Sequence, residues 1–152
     1  MSRVLGFDPG TRVAGYAVLD GSRILVELGV LEFQADLDLG ERLRLLAVDL
    51  EGLFDEFRPE RLALETCFVG KNVRSALVLA EVRGLAKGLA YRRGLSVSEY
   101  APSTVKLRAT GRGNSSKSVV RNAMKVRFGW ESDPKLDASD AAAIAYCGLT
   151  GS

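Results

Sequence analysis

Histidine is missing from this 152-residue chain, and cysteine occurs only twice. The lack of histidine excludes a Ser-His-Asp or Cys-His nucleophile system and a histidine-ligated zinc site. Cys67 and Cys147 lie far apart without metal-ligand spacing, so we interpret them as buried thiols in a reducing compartment. Acid–base or metal chemistry must therefore rest on Asp, Glu, Lys, Tyr or Cys side chains.

Long hydrophobic runs are also absent, since none reaches the roughly 18 residues that a membrane span requires. The start of the chain leads directly into a strand-like segment and does not have the pattern of a signal peptide. A chain of this length suits one domain, with no disulfide or metal needed for folding. We therefore expect a single domain over residues 1–152, located in the cytoplasm and without a membrane partner.

Acidic residues are absent from residues 103–130, where seven basic residues lie. The rest of the chain holds 14 of the 21 basic residues and all 19 acidic ones. A basic segment on an otherwise acidic domain indicates a polyanionic partner. The alternative at this point is a solvated helix face.

Hydrophobic periodicity predicts the element order βββαβαβααα and a mixed sheet with helices on both faces. Residues 110–115 are expected to form a flexible loop, with Asn114 or Ser115 capping the basic helix that follows. The predicted strands are 3–8, 13–20, 24–33, 61–66 and 95–100, and the predicted helices are 40–57, 72–92, 103–109, 116–128 and 136–148.

The predicted helix 72–92 has only five charges, the last of them at its end, and is apolar almost all round. Ala80, Gly84 and Gly88 follow one another four residues apart and leave a groove that another backbone could approach. One face could pack on the sheet and the other on a second subunit, or the whole helix could be buried in the core.

Four carboxylates lie at the ends or starts of these elements. Asp8 ends the first strand, and Glu65 ends the strand expected beside it. Asp137 and Asp140 are three residues apart at the start of the last helix and share one face of it. Each also has a simpler explanation: a turn for Asp8, solvation for Glu65, and the helix dipole for the last two.

Convergence of all four carboxylates would require positive charge to offset their repulsion. Oxygen ligands without histidine or thiolate suit Mg²⁺ or Mn²⁺. Two such ions, roughly 4 Å apart, can clamp the attacking and leaving oxygens of a phosphodiester. The pattern thus favours metal-dependent displacement at a phosphodiester.

Three acidic motifs resemble those of the RuvC family of Holliday-junction resolvases. They are Gly6-Phe7-Asp8-Pro9-Gly10-Thr11, Leu64-Glu65-Thr66-Cys67-Phe68-Val69-Gly70-Lys71-Asn72 and Asp137-Ala138-Ser139-Asp140-Ala141. The resemblance covers essentially the whole chain and implies the RNase H-like (integrase-like) fold with a five-stranded sheet. It also implies a homodimer that cuts four-way junctions with paired symmetric nicks, in recombination and repair, together with a RuvA–RuvB branch-migration complex.

Site residues follow from the same resemblance, position by position. Asp8, Glu65, Asp137 and Asp140 would be catalytic metal ligands, and Lys117 would be catalytic near the scissile phosphate. Phe68 would stack on an unpaired base at the crossover, unless it packs in the core. Arg108, Arg112 and Arg121 of the basic segment would hold the DNA backbone and make binding salt-dependent. The complete set of predicted DNA-contacting residues is Phe68, Lys71, Asn72, Arg74, Lys106, Arg108, Arg112, Lys117 and Arg121.

Three alternative functions stay open at this point. An actin-like or sugar-kinase ATPase also begins with an Asp-x-Gly-Thr hairpin, but such proteins need two lobes around a nucleotide. Another RNase H-like nuclease is the second. A non-catalytic DNA-binding module of the same fold is the third, although a pure DNA binder gains nothing from carboxylates facing phosphate.

Overall fold

Three antiparallel strands open the chain, and helices then alternate with two further strands. The computed structural model describes residues 2–66 and 70–150. The strands are β1 (Arg3–Asp8), β2 (Val13–Asp20), β3 (Leu25–Glu32), β4 (Arg61–Glu65) and β5 (Ser96–Tyr100), and the helices are α1 (Leu39–Phe57), α2 (Val73–Arg92), α3 (Pro102–Thr110), α4 (Lys117–Phe128) and α5 (Leu136–Thr150). This order confirms the prediction. Within the two described ranges, no helix has the length and apolar character needed to span a bilayer.

The five strands form one mixed sheet in the order β3-β2-β1-β4-β5. Tight turns join β1, β2 and β3 into an antiparallel meander, whereas β4 runs parallel to β1 and β5 runs parallel to β4. Parallel neighbours need long crossovers, which α1 and α2 supply. The first strand and the first strand reached through a helix therefore lie side by side at the centre of the sheet.

Side chains alternate between two cores, one on each face of the sheet. Leu5 and Phe7 of β1, like Leu62 and Leu64 of β4, pack with α1 and α2. Val4 and Ala63 point the other way and pack with α3, α4 and α5. The sheet is thus covered by helices on both faces, as predicted.

The segment before α4 differs in detail from its prediction. Ser116 caps α4, because its side chain accepts a hydrogen bond from the backbone N–H of Val119. The prediction of Asn114 or Ser115 as the cap was wrong. Ser115 is instead buried, and its hydroxyl contacts the Thr110 hydroxyl and donates to the carbonyl oxygen of Arg112. The predicted loop is therefore held together by its own hydrogen bonds.

Candidate active site

Strand alternation places Asp8 and Glu65 on the same face of the sheet. Asp8 follows Val4 and Gly6 at a spacing of two, and Glu65 follows Ala63 in the same way, so both project from the face that α5 covers. The parallel register between β1 and β4 ends with Phe7 beside Leu64. The next residue on each strand is the acidic one, so the two carboxylates lie on neighbouring strands at the same edge.

Helix α5 brings the other two carboxylates to this edge by lying very close to the sheet. A Cβ atom added to Gly15, which pairs with Asp8 across β1 and β2, would lie 1.9 Å from the carbonyl oxygen of Asp137. A Cβ atom on Gly6 would lie 2.4 Å from the carbonyl oxygen of Ala141. Because both positions lack a side chain, the first turn of α5 can begin directly against the strands.

All four carboxylates line one open pocket with a volume of about 550 Å³. Two lysines, one from α3 and one from α4, line it as well. The complete lining is Asp8, Pro9, Glu65, Pro102, Val105, Lys106, Lys117, Val120, Leu136, Asp137, Asp140 and Ala143. The predicted catalytic residues are therefore brought together, together with Lys106 from the predicted DNA-contacting set.

Asp8 has the largest pKa shift among the carboxyl groups of this pocket. Burial, followed by the neighbouring charges of Asp140, Asp137 and Glu65, raises the pKa of its carboxyl from 3.8 to about 8. Lys117 acts against the shift. At neutral pH, without added positive charge, Asp8 therefore holds a proton.

Two other carboxylates of the pocket show the same effect. Burial, followed by the charge of Asp140, raises the pKa of Glu65, while Lys106 and Lys117 lower it. Burial also raises the pKa of Asp140, which Lys117 opposes. The lysines only partly offset the cost of gathering the acids, so the pocket favours additional cations.

The donor set fits a hard divalent cation in chemical type and in location. Carboxylate oxygens are the ligands that Mg²⁺ and Mn²⁺ prefer, and a cation would relieve the repulsion described above. Among residues 2–66 and 70–150, no three Asp, Glu or Cys side chains are arranged to hold a metal ion as they stand. Binding of a cation would therefore have to draw the carboxylates inward, as expected for like charges that repel one another.

We expect Gly15→Ala to destabilise the protein, because the new methyl group would overlap the backbone of Asp137. Overpacking of this kind typically costs about 1–3 kcal/mol. Gly52→Ala in α1 is the matched control, since a Cβ atom there meets nothing within 4 Å. Urea unfolding of both variants would measure the difference. Equal midpoints would show that the contact between β2 and α5 is not tight.

Several predicted DNA-contacting residues are free to face a ligand. Lys106 and Lys117 line the pocket, and Lys71, Arg74 and Arg112 are exposed. Phe68 lies outside the described residues, as does Cys67. Lys71 and Arg74 flank the start of α2, so they lie close in sequence to the strand that ends with Glu65.

Three other predicted contacts are engaged within the protein. The Arg108 guanidinium donates to the carbonyl oxygen of Cys147 at 3.1 Å and lies over the ring of Tyr100. The Asn72 side chain caps α2 by accepting from the backbone N–H of Ser75. Arg121 lies 3.7 Å from a carboxylate oxygen of Asp133, which Lys125 also contacts. Contacts of these three residues with DNA stay predictions. Each residue also makes a contact within the protein.

Arg83 is a residue that the sequence did not single out. It is one of the few charges of α2, it is only 9% exposed, and its guanidinium donates to the main-chain carbonyl oxygen of Glu65 and to the carboxylate of Glu99. An arginine within a largely apolar stretch of the helix was the available signal. The helix is apolar on several faces, so its pattern did not indicate which way Arg83 points.

Proteins similar in sequence to this chain belong to one family. The model of the family "Crossover junction endodeoxyribonuclease RuvC" matches residues 4–148. RuvC of Methylococcus capsulatus is 42% identical over 151 residues, covering 98% of this chain and 91% of its own length. RuvC of Chlorobaculum parvum is 43% identical over 151 residues, covering 97% of this chain and 81% of its own.

Solved structures give a consistent result for the fold. Thermus thermophilus RuvC in complex with a Holliday junction substrate superposes with a TM-score of 0.89 at 25% identity, covering 97% of this chain and 92% of that one. The yeast mitochondrial Holliday junction resolvase Ydc2 superposes with a TM-score of 0.69 at 17% identity, covering 97% and 78%. The second likeness concerns the fold alone.

Proposed function

This chain belongs to the RuvC family of crossover junction endodeoxyribonucleases, and on that premise we propose that it resolves four-way DNA junctions by paired, symmetric nicks in recombination and repair. The observation that carries the proposal is the single pocket shared by Asp8, Glu65, Asp137 and Asp140. They are the acidic residues of the three motifs that resemble the family. The fold is the RNase H-like fold expected for such a nuclease.

The metal ligands in this proposal are the four carboxylates, which would hold Mg²⁺ or Mn²⁺, with two ions per site. When bound, such ions lower the pKa of water and stabilise the leaving oxygen of a phosphodiester. The carboxylates themselves keep the pocket acidic and half-buried, so that it is selective for cations. The predicted ion count and the choice between the two metals follow from the resemblance and from the oxygen donors.

The two lysines of the pocket would act on the substrate rather than on the metal. Lys117 begins α4 and Lys106 lies on α3, so both ammonium groups approach the carboxylates from the basic part of the chain. Preorganised cations at such a place offset the charge that develops on phosphoryl oxygens. They also attract a phosphate to an acidic pocket that would otherwise repel it.

Junction binding would use the exposed basic residues around this pocket. Lys71, Arg74 and Arg112 are available to contact the DNA backbone, which makes binding weaken as salt is raised. Phe68, which falls between Glu65 and Lys71 in the chain, keeps its predicted role of stacking on an unpaired base.

A synthetic four-way junction tests the proposal. We expect nicks at symmetric positions in two strands when Mg²⁺ or Mn²⁺ is present, and none with a chelator. A linear duplex that contains the same sequences is the control for junction specificity. Binding without nicking in either metal would favour the non-catalytic DNA-binding module instead, and equal cutting of both substrates would favour a different RNase H-like nuclease.

A second copy of the chain is the partner that we propose for α2. Its outer face carries an apolar stripe of exposed residues at helical spacing: Val73, Leu77, Ala80, Gly84, Gly88 and Tyr91. A Cβ atom on Gly84 or Gly88 would meet nothing within 4 Å, so another helix could approach closely there. An isologous dimer built on this stripe would present two identical pockets, which suits two symmetric nicks.

Leu77→Glu should convert a dimer into monomers, because it places a charge in the middle of the stripe, where Leu77 is 64% exposed. Val48→Glu is the control, since Val48 is 59% exposed on α1. Light scattering after gel filtration gives the oligomeric state. On a plasmid with an extruded cruciform, we expect Leu77→Glu to yield nicked circles rather than linear product. A dimer that survives Leu77→Glu would exclude this face.

Partnership with a RuvA–RuvB branch-migration complex and a cytoplasmic location stay predictions of the family resemblance.

A further inference from the structure

Arg83 is a buried charge that links two strands to α2. It lies on the face of the sheet opposite the acidic pocket, where α2 packs. One arm of its guanidinium donates to the main-chain carbonyl oxygen of Glu65 on β4, and the other contacts the carboxylate of Glu99 on β5. Lys87, one turn further along α2, lies 3.4 Å from the same carboxylate oxygen of Glu99. The planar guanidinium suits two such acceptors at once.

The contact falls where β4 loses support from β1. The register between β1 and β4 ends at Phe7 and Leu64, whereas that between β4 and β5 continues to Glu65 and Tyr100. At Glu65 the sheet therefore holds β4 from the β5 side. Arg83 adds a second attachment, made to the same residue whose side chain enters the acidic pocket on the other face.

We propose that Arg83 is a positioning residue of the acidic pocket, because it fastens the main chain of Glu65 to α2 and so fixes the direction from which the Glu65 carboxylate meets its neighbours. The inference rests on the proposed function, since it assigns Arg83 to the support of a metal ligand. Arg83 does not itself line the pocket. It acts through Glu65.

An ion pair with a purely structural role would have a different effect on the pocket when it is removed. Arg93 and Asp55 form such a pair at the far end of α2, with a separation of 2.6 Å. Loss of that pair should leave the pocket unchanged. Loss of the Arg83 contact should move the Glu65 main chain, and residues that orient metal ligands typically change metal affinity or activity by about 10- to 100-fold when they are removed.

Mn²⁺ binding to the full-length protein, followed by the electron paramagnetic resonance signal of free Mn²⁺, separates these predictions. We expect Arg83→Met to bind Mn²⁺ about 10- to 100-fold more weakly and to lose kcat on a four-way junction, with KM unchanged. Arg83→Lys should recover part of the affinity, because an ammonium group can still donate to the carbonyl oxygen of Glu65. Arg93→Gln is the matched control and should bind Mn²⁺ like the unaltered chain.

Glu99→Gln distinguishes the contributions of the two contacts that the Arg83 guanidinium makes. It removes the charge pair and keeps the contact with Glu65, so we expect a lower melting temperature with little change in Mn²⁺ affinity. Folded Arg83→Met protein with unaltered Mn²⁺ affinity would overturn the inference, and so would an equal loss in Glu99→Gln. Failure of the unaltered chain to bind Mn²⁺ or to nick junctions would instead remove the proposed function on which the inference depends.

Discussion

Glu65→Gln should abolish cutting of a four-way junction and leave junction binding intact. The substitution preserves the size of the side chain and removes its charge, so the pocket keeps its shape and loses one of its four anionic donors. A neutral amide is a poorer ligand for a hard divalent cation than a carboxylate. The expected loss exceeds about 100-fold, because removing residues that only orient a ligand already costs up to that amount.

Binding should survive because the carboxylate opposes phosphate rather than attracting it. Glu65→Gln removes negative charge beside Lys106 and Lys117, so affinity for DNA is expected to stay equal or to rise slightly. Single-turnover nicking and a gel-shift titration in Ca²⁺ would measure the two effects. Glu56→Gln, an exposed position of α1, is the control. Parallel loss of binding and cutting in Glu65→Gln would contradict the assignment of this carboxylate to metal.

Asp8→Asn should stabilise the metal-free protein, and the gain should grow with pH. The folded pKa of Asp8 is about 8 and the ordinary value is 3.8, so the unfolded chain releases this proton at a lower pH than the folded one. Below about pH 4 both states are protonated, and the carboxyl group costs nothing. As pH rises towards 8, folding must keep the proton bound, and the free energy of unfolding falls.

The magnitude follows from the size of the shift. A change from 3.8 to about 8 sets an upper limit of roughly 6 kcal/mol, and water in the open pocket reduces it, so we expect about 2 kcal/mol at pH 8. Urea unfolding in chelator from pH 4 to pH 8 would measure it, with the exposed Asp36→Asn as control. Added Mn²⁺ should reverse the order, because only the unaltered chain gains stability from tight metal binding. A variant less stable than its parent in chelator would contradict repulsion among these acids.

The position of Asp8 and Glu65 could be predicted from the sequence, because it follows from rules that act locally. Strand alternation gives the face of each residue, and a strand reached through a helix usually lies parallel to its neighbour. Asp137 and Asp140 follow from helical spacing. What the sequence did not indicate is how close α5 lies to the sheet, because that depends on Gly6 and Gly15 facing its backbone rather than on any pattern within α5 itself.

Contacts of polar residues that can bind either DNA or another part of the protein were harder to predict. Asn72 and Arg108 were predicted to contact DNA, and both make contacts within the protein. The same basic character that suits a phosphate also suits a carbonyl oxygen or an aromatic ring. Only the arrangement of α3 against α5 decides between them, since it brings the Cys147 carbonyl within reach of Arg108.

The close fit of α5 on the sheet extends well past the carboxylates that it carries. At the far end of the helix a Cβ atom on Gly148 would lie 2.8 Å from a methyl carbon of Val4, about 12 Å along the axis from Asp140 at 1.5 Å per residue. Close packing against the strands therefore fixes α5 along its whole length. A methyl group added at Gly148 would displace α5 and with it Asp137 and Asp140. Defects in cutting should therefore appear in variants whose altered residue is far from the carboxylates.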